Sequence, residues 1–166
     1  LIQLPDKFFR DYFKSQKISL PELGDYAVGM VFLPNDITRS SIAQKAVEQA
    51  ISDEGQIFIG WRDVPTDDTV LGNSVINNKP IIKQFFIQRS SKCKDEKHFQ
   101  RKLYVIRKTV HKKIHQSNLL EWEDFYIVSL STRTIVFKGM VLAPNLSKFY
   151  VDFQYTKFET AIALFH

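Results

Sequence analysis

The sequence predicts a layered α/β domain, in which helices cover a β-sheet on both faces. Its strand-like runs are apolar on both faces, and in the stretch from Tyr26 to Pro34 almost every residue is apolar. A sheet with two apolar faces must be covered on both of them. Amphipathic helical patterns lie between the strand-like runs, and 166 residues are enough for one domain with a sizeable core.

The chain opens with a predicted helix and a predicted strand. Residues 5 to 16 place four aromatic side chains at helical spacing, namely Phe8, Phe9, Tyr12 and Phe13. Residues 26 to 34 are a nearly continuous apolar run between turn signals, and such a short run predicts a buried strand.

A second helix and a second strand follow and establish a β-α-β order. Residues 36 to 54 repeat apolar side chains along one helical face. Ser41 and Gln44 offer a capping box, and Gly55 offers a C-terminal stop. Residues 56 to 65 predict the next strand, which ends in a polar turn.

The middle of the chain predicts a third strand and a long helix. Residues 81 to 89 are apolar with imperfect alternation, as expected for a strand that is packed on both faces. In residues 92 to 116 an apolar stripe repeats at helical spacing through Phe99, Leu103, Ile106, Val110 and Ile114.

Residues 124 to 140, the run DFYIVSLSTRTIVFKGM, predict a β-hairpin whose turn lies at Ser131, Thr132 and Arg133. Gly139 interrupts the second strand of that hairpin, and a glycine inside a strand marks a bulge or a close backbone approach. A role for Gly139 in an active site is the alternative.

The last part of the chain is less regular. Residues 143 to 150 predict a loop that contains one helical turn. Residues 158 to 166, the run FETAIALFH, fit either a helix or a buried strand, because so short a run does not distinguish the two periods.

Positive charge is concentrated in the long helix. Residues 92 to 116 contain nine Lys or Arg and two acidic residues, whereas the whole chain has a net charge of +5. Such a segment could bind phosphates and make the chain a basic nucleic-acid-binding module. No nucleic-acid motif accompanies it, so a solvated helix face is favoured and no nucleic-acid partner is expected.

Three groups of residues are candidates for metal binding or catalysis, and a structural role is favoured for each. Asp63, Asp67 and Asp68 lack the spacing of a Ca²⁺ loop and suit turn hydrogen bonds. His111 and His115 have the i, i+4 spacing of zinc ligands, but no third ligand is evident, so we predict no metal.

Cys93 is the only cysteine and the third candidate. Its neighbours Lys92, Lys94 and Asp95 predict a solvated, charged loop, which is a poor place for a catalytic thiol. A lone cysteine forms no internal disulfide, which favours a reducing compartment.

The ends of the chain carry neither a leader nor a membrane-spanning pattern. No apolar run approaches the roughly 18 residues of a transmembrane helix, and the opening residues lack a secretory leader, so no membrane partner is expected. The chain begins at Leu1 instead of Met and stops directly after an apolar run, so we expect it to be part of a longer protein.

Five ordered motifs closely resemble the N-terminal class II glutamine amidotransferase domain of glutamate synthase large subunits. The motifs are GDYAVGMVFLP from Gly24, GWRDVP from Gly60, RKLYVIRK from Arg101, FYIVSLSTRTIVFKGM from Phe125 and FETAIALFH from Phe158, and the resemblance covers almost the whole chain. The resemblance implies that residues 1 to 166 are the central part of one such domain. The implied fold class is α+β, an N-terminal-nucleophile hydrolase αββα sandwich that is incomplete at both ends.

In this family an N-terminal Cys attacks the glutamine carboxamide, and its α-amino group acts as the base. The resemblance places that nucleophile upstream of Leu1, so no catalytic residue is assigned to this chain. His166 opens the downstream motif that helps to hold glutamine, so it is the one candidate substrate-binding residue. Arg133, Lys138 and Gly139 match family positions without an assigned role.

The resemblance also implies what the whole enzyme would use. L-glutamine would be the substrate of the intact domain, and ammonia would pass to a flavin domain of the same chain, where 2-oxoglutarate becomes L-glutamate. The cofactors would be FMN and a 3Fe-4S cluster, with FAD as an open alternative, and none of them is expected to bind this segment. Lys, Asn, Ile and Phe are abundant, which suits A+T-rich coding DNA such as that of an algal plastid. This composition favours a ferredoxin-dependent enzyme of a plastid, and an NADPH-dependent enzyme of the bacterial cytoplasm is the alternative.

Overall fold

The computed structural model describes residues 1–116 and 125–164 and contains two antiparallel sheets. Its six strands are β1 (Ile2–Gln3), β2 (Tyr26–Leu33), β3 (Ile57–Asp63), β4 (Ile81–Gln88), β5 (Tyr126–Ser131) and β6 (Thr134–Ile135). The main sheet has the strand order β3-β4-β2-β5, and β1 pairs with β6 in a second, two-stranded sheet. The predicted strands before the hairpin are therefore confirmed.

The five described α-helices are α1 (Asp6–Ser15), α2 (Ile37–Asp53), α3 (Asn73–Ile76), α4 (Glu96–Gln116) and α5 (Leu146–Phe149). The predicted helices before α5 and the single helical turn in residues 143 to 150 are confirmed. Gly55, with φ +68°, ends α2 as predicted. The predicted capping box is wrong, because Asp36 caps α2 by accepting a hydrogen bond from the Arg39 amide at 2.7 Å, and Ser41 lies inside the helix.

The main sheet is built from two crossovers that each leave room for one strand. The β2-α2-β3 crossover leaves β4 between its strands, and the β4-α4-β5 crossover leaves β2 between its strands. Neighbouring strands are consequently antiparallel although helices connect them. This topology places α2 and α4 side by side, where they pack against each other and cover one face of the sheet.

The α4 stripe predicted from the sequence forms the centre of the core on that face. Phe99, Leu103, Ile106, Val110 and Ile114 are all buried. They pack with Ala43, Val47, Ala50 and Ile51 of α2 and with sheet residues such as Val31, Phe85 and Ile127.

The opposite face of the main sheet is also covered, as its apolar residues predict. Here α1, the β1–β6 sheet and residues 137 to 158 form a second core rich in aromatic rings. Phe13 lies edge-on to Phe86 with ring centroids 4.5 Å apart, and Phe137 lies edge-on to Tyr150 at 4.8 Å. The described fold is thus a mixture of helices and antiparallel sheets in layers.

The predicted hairpin is wrong, although its first strand exists as β5. The second strand does not pair with β5: β6 is two residues long and pairs with β1 in the other sheet. The reason lies in two serine side chains of β5. Ser131 Oγ accepts hydrogen bonds from the Arg133 and Thr134 amides, and Ser129 Oγ accepts one from the Val136 amide, so these amides bond to side chains instead of a hairpin ladder. Asp124, the first residue of the predicted hairpin, lies outside the described residues.

Gly139 lies beyond β6 and outside every described strand, so it marks no bulge. Register shifts leave Ile59 of β3 and Val128 of β5 unpaired instead. Close approach is a feature of a different glycine. A Cβ atom at Gly29 of β2 would lie 2.1 Å from the ring of Phe85, its cross-strand partner on β4, so this position accommodates the ring only because it has no side chain.

The C-terminal run, for which the sequence left helix and strand open, contains no helix in its described part. Ile2 and Ala163 form an isolated antiparallel bridge, and the Leu164 amide donates to the Leu1 carbonyl at 2.7 Å. This segment therefore extends beside β1. Among the described helices, none has both the length and the apolar character needed to cross a membrane.

Candidate functional site

A groove of about 990 Å³ lies on the face of the main sheet opposite α2 and α4, and it contains two of the family positions noted in the sequence. Lys138 and Gly139 line it together with mostly apolar side chains, including Phe32, Ile82, Met140, Val141 and Phe149. A Cβ atom at Gly139 would lie 3.0 Å from Val141 Cγ1, so the absence of a side chain at Gly139 leaves room for Val141 at this wall of the groove.

The groove has two ammonium groups, and they have different partners. Lys79 Nζ bonds to Asp68 at 2.6 Å and to Thr66 at 2.8 Å. Lys138 Nζ donates to the Tyr126 hydroxyl at 3.3 Å and lies 5.2 Å from that ring. Within the described residues Lys138 forms no ion pair with a carboxylate, so of the two ammonium groups in this mostly apolar groove it is the one left to pair with a bound carboxylate.

A second cavity of about 660 Å³ adjoins the groove. Phe137, Lys138, Ala143 and Leu146 line both spaces, so the segment from 137 to 146 is a shared wall. The Tyr150 hydroxyl donates to the Lys138 carbonyl at 2.5 Å and fixes the beginning of this wall. Burial raises the pKa of Tyr150, which keeps the hydroxyl protonated and able to donate.

Arg133, the third family position, lies away from the groove. Its guanidinium forms two bonds of 2.7 Å to the Glu96 carboxylate at the start of α4. Glu96 also accepts from the Thr132 hydroxyl at 3.1 Å, and Gln100 donates to that same hydroxyl. Arg133 lowers the pKa of Glu96, so this carboxylate stays charged and the cluster joins the loop after β5 to α4.

A buried ion pair between Arg62 and Asp152 was missed by sequence reasoning. Arg62 on β3 also donates to Gln84 on β4 at 2.9 Å, and its guanidinium carbon lies 4.9 to 5.0 Å from the ring centroids of Tyr12 and Phe8. The signal in the sequence was an arginine inside the apolar strand run GWRDVP. Such a residue needs a partner when buried, but the sequence does not say which carboxylate supplies it.

The predicted solvated environment of Cys93 is wrong. Its side chain is only 3% exposed and packs in the core between α4 and the main sheet. Arg89 holds the loop by donating to the Cys93 carbonyl at 2.8 Å, which leaves the charged neighbours outside and the thiol inside. Burial raises the pKa of the thiol, so Cys93 is a poorly reactive core residue.

Of the aspartate group, Asp67 makes the turn hydrogen bonds that the sequence predicts, whereas Asp63 is the last residue of β3 and contacts the neighbouring strand instead. Asp67 accepts from the Thr69 amide and hydroxyl at 3.0 and 2.6 Å, and these hydrogen bonds lower its pKa. Asp63 pairs with Lys83 at 2.7 Å. Within residues 1–116 and 125–164, no three His, Cys, Asp or Glu side chains converge as metal ligands.

The two histidines have different surroundings. His111 packs edge-on against the rings of Phe125 and Tyr126, with centroids 5.7 and 6.5 Å apart. Burial, and then the charges of Arg107 and Lys108, lower its pKa. His166, the candidate substrate-binding residue, lies outside the described residues.

The sequence of the whole chain identifies the family. Residues 1–166 match the model of the class II glutamine amidotransferases. The chain is 40% identical over 166 residues to "Glutamate synthase [NADPH] large chain" of Bacillus subtilis, which covers 100% of this chain and 10% of that relative. It is 33% identical over 163 residues to "Ferredoxin-dependent glutamate synthase 2" of Synechocystis, covering 98% of this chain and 10% of the relative.

A third relative is a plant enzyme. The chain is 33% identical over 164 residues to "Ferredoxin-dependent glutamate synthase, chloroplastic" of rice, covering 98% of this chain and 10% of the relative. The chain thus spans about a tenth of the length of these relatives. On the match over its full length, the chain belongs to the class II glutamine amidotransferase family.

Proposed function

We propose that this chain is an internal segment of the glutaminase domain of a glutamate synthase large subunit. The observation that supports it best is the family match across all 166 residues, combined with relatives that are glutamate synthase large chains about ten times as long. In this proposal the chain forms the central part of a single domain that releases ammonia from L-glutamine.

The proposed fold of the intact domain is an N-terminal-nucleophile hydrolase αββα sandwich. The described part supports it with one helix layer of α2 and α4, the main antiparallel sheet, and a second antiparallel pair, β1 and β6, on the opposite face. The apolar groove lies on that second face, where further strands of a sandwich would pack.

The nucleophile is proposed to lie outside these residues. Cys93 is the only cysteine of the sequence, and its thiol is buried with a raised pKa, so it lacks the access and the thiolate that attack on a carboxamide requires. This segment would instead supply the scaffold that holds the glutamine site, including His166.

Glutaminase assays on the full-length polypeptide and on the isolated segment test this proposal. We expect the full-length protein to release ammonia from L-glutamine, Cys93→Ala in that protein to keep at least half of the rate, and residues 1–166 alone to be inactive. Replacement of the first cysteine of the mature full-length protein by alanine should abolish release. Loss of turnover in a correctly folded Cys93→Ala protein would contradict the proposal.

The cofactors implied for the whole enzyme do not fit this segment. A 3Fe-4S cluster needs several cysteine thiolates, whereas this sequence has one cysteine, and that one is buried. The groove is lined mainly by apolar side chains and has no glycine-rich phosphate loop for FMN or FAD. We propose that these groups bind to other parts of the large subunit.

For the electron donor we propose reduced ferredoxin, and for the location a plastid. Ferredoxin-dependent relatives, one of them chloroplastic, support this choice. An NADPH-dependent enzyme of the bacterial cytoplasm is the alternative, supported by the higher identity to the Bacillus subtilis protein. Glutamate formation from L-glutamine and 2-oxoglutarate, measured separately with reduced ferredoxin and with NADPH, decides between them.

A further inference from the structure

The outward side of α4 is rich in positive charge. From Lys97 to Gln116 no residue is acidic, whereas seven are Lys or Arg and three are His. Opposite the buried stripe of the helix, the exposed side chains at helical spacing are Lys97, Arg101, Tyr104, Val105, Lys108 and Lys112, which we call the basic ridge. At 1.5 Å per residue, the basic ridge is about 22 Å long.

Other cations of α4 are already used within the fold. Lys102 pairs with Glu54 at 2.8 Å, and Lys113 pairs with Asp53 at 2.7 Å, so both link α4 to the end of α2. Arg107 donates to a β5 carbonyl at 2.9 Å. These residues lie on the flanks of the helix, and their charges have a structural purpose.

The cations of the basic ridge have no such partner. Across the described ranges, Lys97, Arg101 and Lys112 form no ion pair with a carboxylate, and Lys108 lies 5.7 Å from the Tyr104 ring centroid. Of the two carboxylates at the start of the helix, Glu96 is held by Arg133. Asp95 accepts from the His98 amide at 2.7 Å, and it also feels the charges of Arg101 and Lys97, which help to lower its pKa, although neither forms an ion pair with it.

An exposed apolar pair lies in the middle of the basic ridge. Tyr104 is 63% exposed and Val105 is 39% exposed, with two cations of the basic ridge before them and two after them. A helix face that only contacts water gains nothing from exposing a large apolar surface at its centre. Protein interfaces have this arrangement, because apolar and aromatic anchors lie centrally and charges lie around them.

We propose that the basic ridge is a docking surface for an acidic protein partner. The partner would present an apolar patch to Tyr104 and Val105, and carboxylates on either side of that patch to the four ridge cations. Charge complementarity would speed the encounter and orient the partner, and the apolar pair would give most of the affinity. This inference does not depend on the proposed glutaminase function.

Fluorescence anisotropy with the intact polypeptide tests the proposal against three labelled probes. The first is an amphipathic helical peptide of about 21 residues, with leucines on one stripe and glutamates on the other faces. The second is the same composition in scrambled order, and the third is a single-stranded RNA of about 20 nucleotides. We expect the amphipathic peptide to bind about tenfold more tightly than the scrambled peptide, because only its ordered stripe can cover the apolar pair.

Two variants and one matched control assign the binding to the basic ridge. Reversal of the four ridge cations to glutamate should abolish binding, and Tyr104→Ala with Val105→Ala should weaken it about tenfold at unchanged charge. The control reverses four exposed lysines elsewhere, Lys14, Lys17, Lys45 and Lys148, and should change affinity less than threefold at 0.15 M salt, where separate surface charges are screened. Circular dichroism checks that each variant is folded, and a four-glutamine version of the ridge variant serves if the glutamate version is not.

Several outcomes would overturn the proposal. They are equal affinity for the ordered and scrambled peptides, tighter binding of RNA than of the acidic helix, an equal effect of the control reversals, or no binding to any probe. The RNA result would instead identify a nucleic-acid surface.

Discussion

Arg62 donates hydrogen bonds to both carboxylate oxygens of Asp152, at 2.8 and 2.6 Å, although 90 positions separate the two residues. Arg62 is 4% exposed and Asp152 is fully buried. The pair fastens the 3₁₀ turn Val151–Gln154 to β3, below the aromatic side chains of α1. Removing either charge would leave the other one buried without a counter-charge.

Asp152→Asn should lower the free energy of unfolding by about 3–5 kcal/mol, because the Arg62 charge would remain in the core unpaired. Urea denaturation measures this change. Glu96→Gln is the matched control: it removes an arginine partner in the same way, but Arg133 is 73% exposed, so water replaces the lost contact and the effect should be much smaller. The double replacement Arg62→Met with Asp152→Leu should recover most of the loss. Similar effects for Asp152→Asn and Glu96→Gln would contradict this interpretation.

Gly29→Ala should destabilise the chain by about 1–3 kcal/mol, since the added methyl group overlaps the Phe85 ring in the middle of the sheet. Phe85→Leu in the same chain should relieve part of the overlap. Gly60→Ala on β3 is the control, because its Cβ would have only one neighbour within 4 Å, at 3.8 Å, and it should be neutral or slightly stabilising. Thermal unfolding of the four proteins tests the order. An equal loss in both alanine variants would mean that the ring moves away freely.

The thiol of Cys93 should react slowly with a disulfide reagent in the native state and rapidly in urea, because it is buried and its pKa is raised. A raised thiol pKa has a predictable effect on stability. Its contribution is present below the unfolded-state pKa of about 8.5 and is lost as pH rises towards the folded-state pKa. Cys93→Ala should therefore flatten the alkaline fall in unfolding free energy. Rapid native labelling would show that the loop opens far more often than its packing indicates.

His111 should make the chain less stable in mild acid. Burial lowers its pKa below the ordinary value of 6.5, so the stability linked to its neutral form is present above that value and is lost as pH falls through the folded-state pKa. Unfolding free energies at pH 7.5 and 5.5 should thus differ less for His111→Phe than for the unchanged chain. Thr109→Val, two positions away on the same helix, changes no titratable group and is the control that should keep the original difference. NMR titration of the His111 ring gives its pKa directly.

Much of the fold could be predicted from periodicity. The α4 stripe repeats over five positions, so its buried face was unambiguous, and the short apolar run of β2 between turn signals favoured a buried strand. The hairpin prediction was wrong because the Ser129 and Ser131 hydroxyl oxygens accept hydrogen bonds from backbone amides that a hairpin ladder would have used. That competition depends on side-chain geometry, which periodicity does not describe.

The sites were harder to predict than the elements. The charged neighbours of Cys93 suggested solvent, but side-chain direction in a loop is set by contacts such as that of Arg89 with the Cys93 carbonyl. The partner of Arg62 was hidden for a similar reason. Asp152 follows an irregular stretch, and its position depends on how residues 137 to 158 pack on the sheet. Family resemblance indicated Arg133 and Lys138, and their contacts now distinguish a loop anchor from a groove-lining ammonium group.

The strand order of the main sheet has a consequence during synthesis of the protein. Val28 on β2 pairs with Ser131 on β5, so the central strand gains its second neighbour only after a stretch of about a hundred further residues has been made. Until then, a nascent chain on the ribosome exposes one edge of a strand that is apolar on both faces. Pairing between strands so far apart in the sequence forms slowly, and the open edge of β2 would be prone to aggregation until β5 is made.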